Sequence, residues 1–351
     1  DAVTWYYEVY RMYPTLSVFL PNGDFAGIYL NGGNYNIIGK MALAGRNKKE
    51  TWDQWYTGRF DLHPMKGLSV KGDYSWNRYS TVQKFHRKEM TQTFPEGRDP
   101  YLVETPNYVR NYNSNNIYQA INVWAEYKKS FNDVHNLSLM AGYNQEEKTY
   151  ASTSYTMTDL YDNEMPISDL AINYKENEEG SDIWRVQGAF FRLNYDYRSK
   201  YLLEVNGRYD GSSKYAKHDR WAFFPSASVG WRISEEKFFK SLSKVVDNLK
   251  IRASIGALGN QITDGNHSFM SIISGKVLTN YMMDGKIVNG LNIPTLPSMV
   301  TWEKVITKDI GLDWSLFKNR LFGSFDFYVR DTKDMVRSVT YVACCIGNFR
   351  W

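Results

Sequence analysis

The segment Tyr201–Ser234, YLLEVNGRYDGSSKYAKHDRWAFFPSASVGWRIS, decides the fold of the chain. Apolar and polar residues alternate from Tyr201 to Asp210 and again from Phe223 to Arg232, with a polar loop between them. A period of two predicts β-strands with one apolar and one hydrated face, so this segment is a predicted hairpin. In the first strand one face carries Tyr201, Leu203, Val205, Gly207 and Tyr209, and the other carries Leu202, Glu204, Asn206, Arg208 and Asp210.

The chemistry of the two faces indicates where such a hairpin lies. Aromatic residues stand near the ends of the apolar face, whereas the other face carries charges that a dry core would not accept. The composition agrees, because 16% of the residues are aromatic, with 27 Tyr and 11 Trp, and these residues suit boundaries between apolar and wet surroundings. An apolar band with aromatic girdles and a polar interior predicts a transmembrane β-barrel.

Charge and cysteine content exclude several other classes of protein. The 42 basic and 38 acidic residues give a net charge of +4, and no block of Lys and Arg indicates a nucleic-acid partner. No run approaches the roughly 18 apolar residues of a transmembrane helix. Cys344 and Cys345 are adjacent and are the only cysteines, which excludes a disulfide scaffold and a CxxC metal site. Two unpaired thiols and a strained vicinal disulfide both stay open.

The rest of the chain repeats the hairpin pattern. Alternating segments begin at Gln54 and recur as far as Val329, which predicts roughly ten to eleven strands. Short turns alternate with long polar excursions, the layout of an up-and-down barrel with brief periplasmic turns and long extracellular loops. Residues 235–250 are predicted to form one or two helical turns. The excursions run from Asn77 to about Asn116, from Asn144 to about Asp182 and from Ala257 to about Lys308.

Three motifs, in order, resemble a known family. They are the segment from Gly207 to Lys240, the segment RASIGALGNQ that begins at Arg252, and WEKVITKDIGLDWSLFKNRLFGSFDFYVRDTKDM, which begins at Trp302. Together they resemble the barrel of SusC/RagA-type TonB-linked outer-membrane transporters of Bacteroidota. The resemblance runs from Leu68 to about Met335, and the final segment YVACCIGNFRW does not share it.

The resemblance implies both a fold and a function. The fold is all-β: a partial antiparallel transmembrane barrel, about half of a plugged barrel of about 22 strands, with long extracellular loops. Residues 1–351 are expected to be one segment of that barrel domain, without the plug domain, the signal peptide or the barrel C-terminus. The implied function is TonB-dependent import of oligosaccharides or oligopeptides across the bacterial cell outer membrane. The implied partners are a SusD-like surface lipoprotein, and TonB acting through the missing N-terminal region.

Two other functions stay open, and enzymatic activity is not expected. A siderophore or cobalamin receptor of the same architecture would lack the lipoprotein partner, and an extracellular glycan-binding protein or adhesin would fold in water. The five histidines, His63, His86, His135, His218 and His267, are scattered without an HExxH spacing, and the chain contains no GxSxG motif. The sequence therefore predicts binding and transport without bond chemistry.

Two sets of residues are predicted to face the cargo or the lumen. Aromatic side chains in polar loops can bind sugar faces or peptide side chains, and inward charges can line a hydrated wall that holds and releases a plug. The substrate-binding candidates are Tyr150, Tyr155, Tyr161, Tyr174 and Tyr281. The candidates facing the lumen and plug are Glu204, Arg208, Asp210, Arg232, Arg252, Asp313 and Asp326. No cofactor is expected, although Ca2+ could bind an acidic loop through Asp159, Asp162, Glu164 and Asp169.

Overall fold

The computed structural model describes residues 10, 17–26, 36–93, 101–103, 105–261, 266, 277–291 and 301–335. Most of these residues belong to β-strands. Cys344 and Cys345, with the expectations attached to them, lie outside the described residues. The chain turns at residues 20–23, where the amide of Gly23, at φ 88°, donates to the carbonyl of Leu20.

The strands follow one another along the chain with few interruptions. In chain order they are β1 (Asn47–Met65), β2 (Leu68–Arg87), β3 (Met90–Gln92), β4 (Tyr101–Val103), β5 (Tyr108–Phe131), β6 (His135–Leu160), β7 (Ala171–Tyr197), β8 (Tyr201–Ser212), β9 (Trp221–Arg232), β10 (Val246–Asn260), β11 (Val277–Met283), β12 (Lys286–Leu291), β13 (Glu303–Leu316) and β14 (Leu321–Lys333). The described helical segments are an α-helix, α1 (Ile37–Leu43), and 3-10 helices at Ser168–Leu170, Ile233–Glu235 and Lys237–Ser241.

A single large sheet dominates the fold. It has ten strands in the order β1-β2-β5-β6-β7-β8-β9-β10-β13-β14, while β3 pairs with β4 and β11 with β12 as separate hairpins. The pairs from β7 through β14 are antiparallel. Neighbours in the sheet are thus neighbours along the chain once the two small hairpins are set aside, which is the predicted up-and-down arrangement.

The short connections use left-handed backbone. Asn132 and Asp133, at φ 52° and 51°, lie between β5 and β6, and Arg198 and Ser199, at φ 52° and 55°, lie between β7 and β8. Consecutive residues with positive φ form turns whose twist matches that of two antiparallel strands. The predicted tight turns are therefore confirmed at these positions.

Two of the three predicted polar loops are largely strand, which corrects the sequence-based expectation. β2 continues to Arg87 and β5 begins at Tyr108, so the first connection shrinks to residues 88–107. β6 continues to Leu160 and β7 begins at Ala171, so the second shrinks to residues 161–170. Both faces of these strand extensions carry many polar side chains, which hides the apolar alternation. The helical prediction for residues 235–250 holds only for their first half, because β10 begins at Val246.

The register sorts side chains onto two faces of the sheet. Paired residues share a face, so the pairing of Ala253 with Ile310, and of Ile310 with Phe327, builds an apolar row across β10, β13 and β14. This row is open to the surroundings, since Ile310 is 61% exposed and Phe327 is 65% exposed. A contiguous exposed apolar face is rare in soluble monomers and is the outer surface that a transmembrane barrel presents to lipid.

Aromatic rings mark both ends of the apolar face on β8. Tyr209 stacks on Trp221, with 5.0 Å between the ring centroids, and Tyr201 donates a hydrogen bond of 2.7 Å to Glu236 at the opposite end. At about 3.3 Å per residue the two tyrosines stand about 26 Å apart along the strand. With the usual strand tilt of about 40° this gives a height of about 20 Å, similar to the roughly 25 Å apolar band of a membrane barrel.

The chain divides into two compact units. The first unit comprises Asp1–Trp55, Asn77–Ile117 and Thr149–Asp182, and the second unit comprises Tyr56–Trp76, Tyr118–Lys148 and Ile183–Trp351. The expectation that residues 1–351 form a segment of one barrel domain stays a prediction. Among the described residues, no helix has the length and apolar character that a membrane-crossing helix needs.

A substitution at Gly207 can test how closely aromatic rings pack on the apolar face. A Cβ atom at Gly207 would lie 2.4 Å from Phe191 and 3.0 Å from Phe223, whereas one at Gly58 would meet nothing within 4 Å. We expect Gly207→Val to lower the free energy of unfolding by about 1–3 kcal/mol, because both rings must move. Gly58→Val is the matched control and is expected to be neutral. Urea unfolding of the full-length protein in detergent, followed by tryptophan fluorescence, measures both; equal effects would contradict this packing.

Candidate functional site

An aromatic cleft lies in the first unit, between β2 and β5. It has a volume of about 310 Å³ and is lined by Gln83, Phe85, Tyr108, Arg110 and Tyr112. Tyr108, Arg110 and Tyr112 are alternate residues of β5, so their side chains point to one face of that strand. Val109, between them, points the other way and is fully buried. The cleft therefore follows directly from strand geometry.

The rings of the cleft are held in place by their neighbours. Phe85 stacks on Tyr108, with 5.5 Å between the ring centroids and 22° between the ring planes. The guanidinium carbon of Arg87 lies 4.5 Å from the centroid of the same tyrosine ring. The hydroxyl groups of Tyr112 and Tyr150 are 3.1 Å apart. Stacking, cation–π contact and hydrogen bonding restrict the rings, so the cleft is shaped before any ligand arrives.

Hydrogen-bonding groups surround these rings. Arg110 donates through Nε to the hydroxyl of Ser154 at 3.0 Å, and its Nη2 reaches Glu178 at 3.5 Å. The amide of Gln83 donates to Asn47 at 2.8 Å. Aromatic faces flanked by a few fixed donors and acceptors are suited to sugar rings and to peptide side chains. The arrangement can hold a polar polymer by stacking and hydrogen bonding.

Two asparagines tie together the connections beside the cleft. The side chain of Asn107 accepts a hydrogen bond from the amide of Leu160 at 2.6 Å and donates to the carbonyl of Leu160 at 3.2 Å. Asn163 accepts from the amide of Glu89 at 2.9 Å and donates to the carbonyl of Glu89 at 2.9 Å. Each asparagine side chain thus bonds both the amide and the carbonyl of one residue, as the backbone of a paired strand would. It satisfies these backbone groups where strand pairing ends. We call these four residues the asparagine knot.

His86 is buried beside the asparagine knot. Only 6% of the residue is exposed, and its Nε2 has no hydrogen-bond partner within the described part of the chain. Burial, followed by the positive charge of Lys88, lowers the pKa of His86, against the opposing effects of a hydrogen bond to the backbone of Asn163 and the charge of Glu164. The ring is therefore held in its neutral form.

The second unit carries a charged wall on one face of the sheet. Lys250 pairs with both Arg232 and Asp313, and Gly311 pairs with both Arg252 and Asp326, so these side chains share a face. On β8 the even-numbered residues join the same face, because Gly230 pairs with both Leu202 and Arg252. The structure thus brings all the predicted wall residues to one face, namely Glu204, Arg208, Asp210, Arg232, Arg252, Asp313 and Asp326.

Arg252 is the centre of this wall. It contacts Asp309 at 3.2 Å, Asp313 at 3.3 Å and also Asp326. Lys250 lies 3.9 Å from Asp313, so the local cluster holds more acidic than basic groups. Ion pairs in a hydrated setting contribute little to stability and can exchange partners. A groove of about 830 Å³ runs along this part of the wall.

Arg208 and Asp210 form a second ion pair on the wall. Their closest atoms are 2.8 Å apart, and Arg208 also donates to Asn144 at 3.2 Å. A glycine makes room for this arrangement, because a Cβ atom at Gly188 would lie 1.9 Å from the Asp210 carboxylate. The polar alternation of β8 therefore builds specific contacts as well as a hydrated surface.

The connection between β8 and β9 is anchored by a small aromatic core. Tyr215 is fully buried and Trp302 is 2% exposed, and both pack with Phe224. Trp302 donates through Nε1 to the carbonyl of Arg220 at 2.9 Å, and Tyr215 donates to the carbonyl of Asn260 at 3.3 Å. Burial raises the pKa of Tyr215 to about 12, so its hydroxyl stays protonated and can donate. This core fixes the polar loop that connects β8 and β9.

The predicted tyrosines do not gather in one place. Tyr150 reaches the cleft through Tyr112, whereas Tyr155 lies an odd number of residues away on β6 and points to the other face. Tyr161 lies in a connection and is 86% exposed. Tyr174 lies on β7 and Tyr281 on β11. Of the five, only Tyr161 is in a loop, which corrects the expectation that all are loop residues. Their role in substrate binding stays a prediction.

All five cleft residues, Gln83, Phe85, Tyr108, Arg110 and Tyr112, are absent from the sequence-based predictions. They fall within the segment assigned to the first polar excursion. The signal that could have revealed them is the alternation of Tyr108, Arg110 and Tyr112 around Val109, which extends β5 toward its N-terminus. A strand with polar residues on both faces lacks the apolar row that marks the other strands.

Of the four acidic residues considered for Ca2+, three have other partners: Asp159, Asp162 and Glu164. Asp159 accepts hydrogen bonds of 2.8 Å from Thr158 and of 2.8 Å from Asn173. Asp162 accepts a hydrogen bond of 2.7 Å from the backbone amide of Glu164. Throughout the described ranges, no three His, Cys, Asp or Glu side chains form a group that could hold a metal ion. Ca2+ binding in the loops stays a prediction.

Comparisons with known proteins agree with this geometry. The family profile described as "TonB dependent receptor-like, beta-barrel" matches residues 4–349. The chain is 28% identical over 349 residues to a TonB-dependent receptor of Formosa agariphila, covering 94% of this chain and 32% of that protein. It is 32% identical over 151 residues to the TonB-dependent receptor SusC of Bacteroides thetaiotaomicron, covering 43% of this chain and 15% of SusC. The chain thus spans about 32% or less of the length of these curated relatives.

A solved structure, that of the RagAB peptide transporter, shares the fold. The TM-score is 0.72 at 23% sequence identity, and the match covers 91% of this chain and 34% of that chain. The predicted fold class, a partial antiparallel transmembrane barrel, is confirmed, as is the resemblance to the SusC and RagA type.

The lowered pKa of His86 predicts that the stability of the asparagine knot depends on pH. The folded pKa of His86 is lowered, so as the pH falls through about 6.5 the unfolded segment takes up a proton before the folded segment does. Stability of the knot is therefore complete above about pH 6.5 and falls as the pH drops toward the folded pKa. We therefore expect the amides of residues 160–164 to exchange with deuterium faster as the pH falls through this window. After correction for intrinsic rates, the increase is up to about tenfold for each pH unit.

The matched variants separate His86 from other titrating groups. His86→Gln removes the titration and is expected to flatten the pH dependence of exchange. His63→Gln changes a histidine whose side chain is 68% exposed, and is expected to behave like the unmodified protein. A His86→Gln variant that keeps the original pH dependence would show that another group controls the knot.

Proposed function

The chain belongs to the TonB-dependent receptor-like β-barrel family, and from this we propose that it forms part of the wall of a bacterial outer-membrane importer. TonB-dependent receptors are transporters, so the protein binds and passes its cargo without breaking bonds in it. One observation carries the proposal: the antiparallel sheet has an exposed apolar face suited to lipid and, behind it, a face of exchangeable ion pairs suited to a hydrated lumen.

The proposed cargo is an oligosaccharide or an oligopeptide. The aromatic cleft supports this class, because Phe85, Tyr108 and Tyr112 present rings beside the donors of Arg110 and Gln83. Such a site favours ligands with flat apolar patches and many hydrogen-bonding groups. The RagAB similarity supports the peptide alternative, because RagAB is a peptide transporter. The similarity to SusC supports placing this protein among the TonB-dependent receptors, the group to which SusC belongs.

The proposed partners are TonB and a SusD-like surface lipoprotein. In this proposal TonB acts through a region outside the chain and supplies energy, and the lipoprotein covers the outer opening. The wall around Arg208 and Arg252 would hold a plug by ion pairs that exchange without a large stability change. Purification of the tagged full-length receptor from its native membrane should retain a lipoprotein of this kind.

Energised uptake tests the import function directly. Cells lacking the receptor gene, complemented with the full-length gene, are given fluorescent oligosaccharides or oligopeptides with and without a protonophore. We expect uptake only in complemented, energised cells, because TonB transmits energy from the inner membrane. Uptake that persists in de-energised cells would indicate a passive pore and contradict the proposal.

Two tyrosine variants test the cleft in the same assay. Tyr112→Ala removes a cleft ring and the partner of Tyr150, and is expected to raise the half-saturation concentration by roughly three- to tenfold. Tyr143→Ala removes an exposed ring on the other face of β6, seven residues from Tyr150, and is expected to leave uptake unchanged. Equal effects of the two substitutions would remove the cleft from the proposed path.

A further inference from the structure

The first unit has a second groove on the face that points away from the aromatic cleft. Asn113 neighbours Tyr112 on β5, and Thr153 lies three residues from Tyr150 on β6, so both point to the face opposite the cleft. The groove has a volume of about 650 Å³. We call it the back groove; its lining includes Trp52, Gln54, Arg78, Asn113, Asn115 and Thr153.

The back groove begins where the strands change from apolar to polar. On β1 the alternate position after Tyr56, toward the N-terminus, is Gln54, and on β2 the alternate position after Trp76 is Arg78. The rings of Tyr56 and Trp76 lie 5.6 Å apart. Tyr and Trp concentrate where the hydrocarbon of a bilayer meets its headgroups. In the membrane location of the proposed function, polar positions just beyond these rings fall at the level of the lipid headgroups.

The chemistry of the back groove suits a phosphorylated sugar. Arg78 donates through Nε to Asn115 at 2.9 Å, which fixes the plane of its guanidinium group. A guanidinium group matches two phosphate oxygens at once. The amides of Gln54 and Asn113 can bond sugar hydroxyls, and Trp52, which is 45% exposed, offers a ring to a sugar face. None of the described residues lining the groove is acidic, so no carboxylate repels an anion there.

We propose that the back groove binds the phosphorylated saccharide headgroup of an outer-leaflet glycolipid. Arg78 holds a phosphate group, and the amides with Trp52 hold the attached sugar. The proposal rests on the outer-membrane location in the proposed function. It assigns this groove to a resident lipid rather than to cargo, because the groove opens on the face opposite the aromatic cleft. A headgroup held there would anchor the strand extensions to the membrane surface.

Native mass spectrometry of the full-length receptor, purified in detergent and stripped of lipid, tests the proposal. The probes are rough-type lipopolysaccharide, the same lipopolysaccharide after enzymatic dephosphorylation, and phosphatidylglycerol. We expect Arg78→Gln to weaken lipopolysaccharide binding by about tenfold, because a charge-assisted contact is lost. Dephosphorylated lipopolysaccharide should bind the unmodified receptor as weakly as that variant binds the intact glycolipid. Arg198→Gln, in the turn between β7 and β8, is the matched control and should bind normally.

The outcomes separate this proposal from its alternatives. Equal lipopolysaccharide binding by the Arg78→Gln variant and the unmodified receptor would overturn it, provided that both run as folded species on unheated SDS gels. Phosphatidylglycerol binding with the same affinity and the same dependence on Arg78 would overturn it in favour of general attraction to anionic lipid. Loss of binding in Arg78→Gln, combined with energy-independent uptake in cells, would support the lipid site while removing active import. The two proposals therefore fail separately.

Discussion

A sheet that crosses a bilayer must pair its own backbone amides and carbonyls, because lipid offers them no hydrogen-bond partners. In the ten-stranded order every strand between β1 and β14 has a neighbour on each side. The register of this pairing then decides the chemistry of both faces. A slip of one residue would turn Arg208 and Arg252 toward lipid, where an arginine at the midplane costs about 2–4 kcal/mol. Backbone pairing and side-chain alternation thus stabilise the same arrangement.

The polar surfaces of the molecule differ in how firmly they are organised. Around Arg252 the contacts are hydrated ion pairs with three carboxylates, which can exchange partners. In the aromatic cleft, rings and side-chain donors are fixed by stacking and by neighbouring strands. The asparagine knot, which joins the connections beside the cleft, is held by paired backbone contacts. The exchangeable ion pairs around Arg252 suit a surface that must release what it holds. The fixed aromatic cleft suits a surface that must recognise what it binds.

The sequence predicts the fold far better than it predicts the site. Period-two alternation from Tyr201 to Arg232 correctly identifies the hairpin. The short turns reveal the meander, most clearly at Asn132 and Asp133, whose residue types tolerate left-handed backbone. The charged wall is also predictable, since alternation alone puts Arg208 and Asp210 on one face. The cleft is not, because Phe85 and Tyr108 are brought together by pairing across a connection, and strand extensions with two polar faces carry no apolar signal. Side-chain partners such as Asn107 and Leu160 depend on tertiary contacts that no local pattern encodes.

The central claim, that one face of the sheet meets lipid and the other meets water, is tested most directly by labels at adjacent positions of β8. Single cysteines at Leu203, Glu204, Val205 and Asn206 are introduced into a full-length receptor whose native cysteines, Cys344 and Cys345 among them, are replaced by Ser. Each variant is labelled with an environment-sensitive fluorophore and reconstituted in bilayers. Spin-labelled lipids should quench the labels at 203 and 205 but not those at 204 and 206, whereas a water-soluble quencher should show the reverse. Equal quenching at all four positions, or aqueous quenching at 203 and 205, would contradict this account.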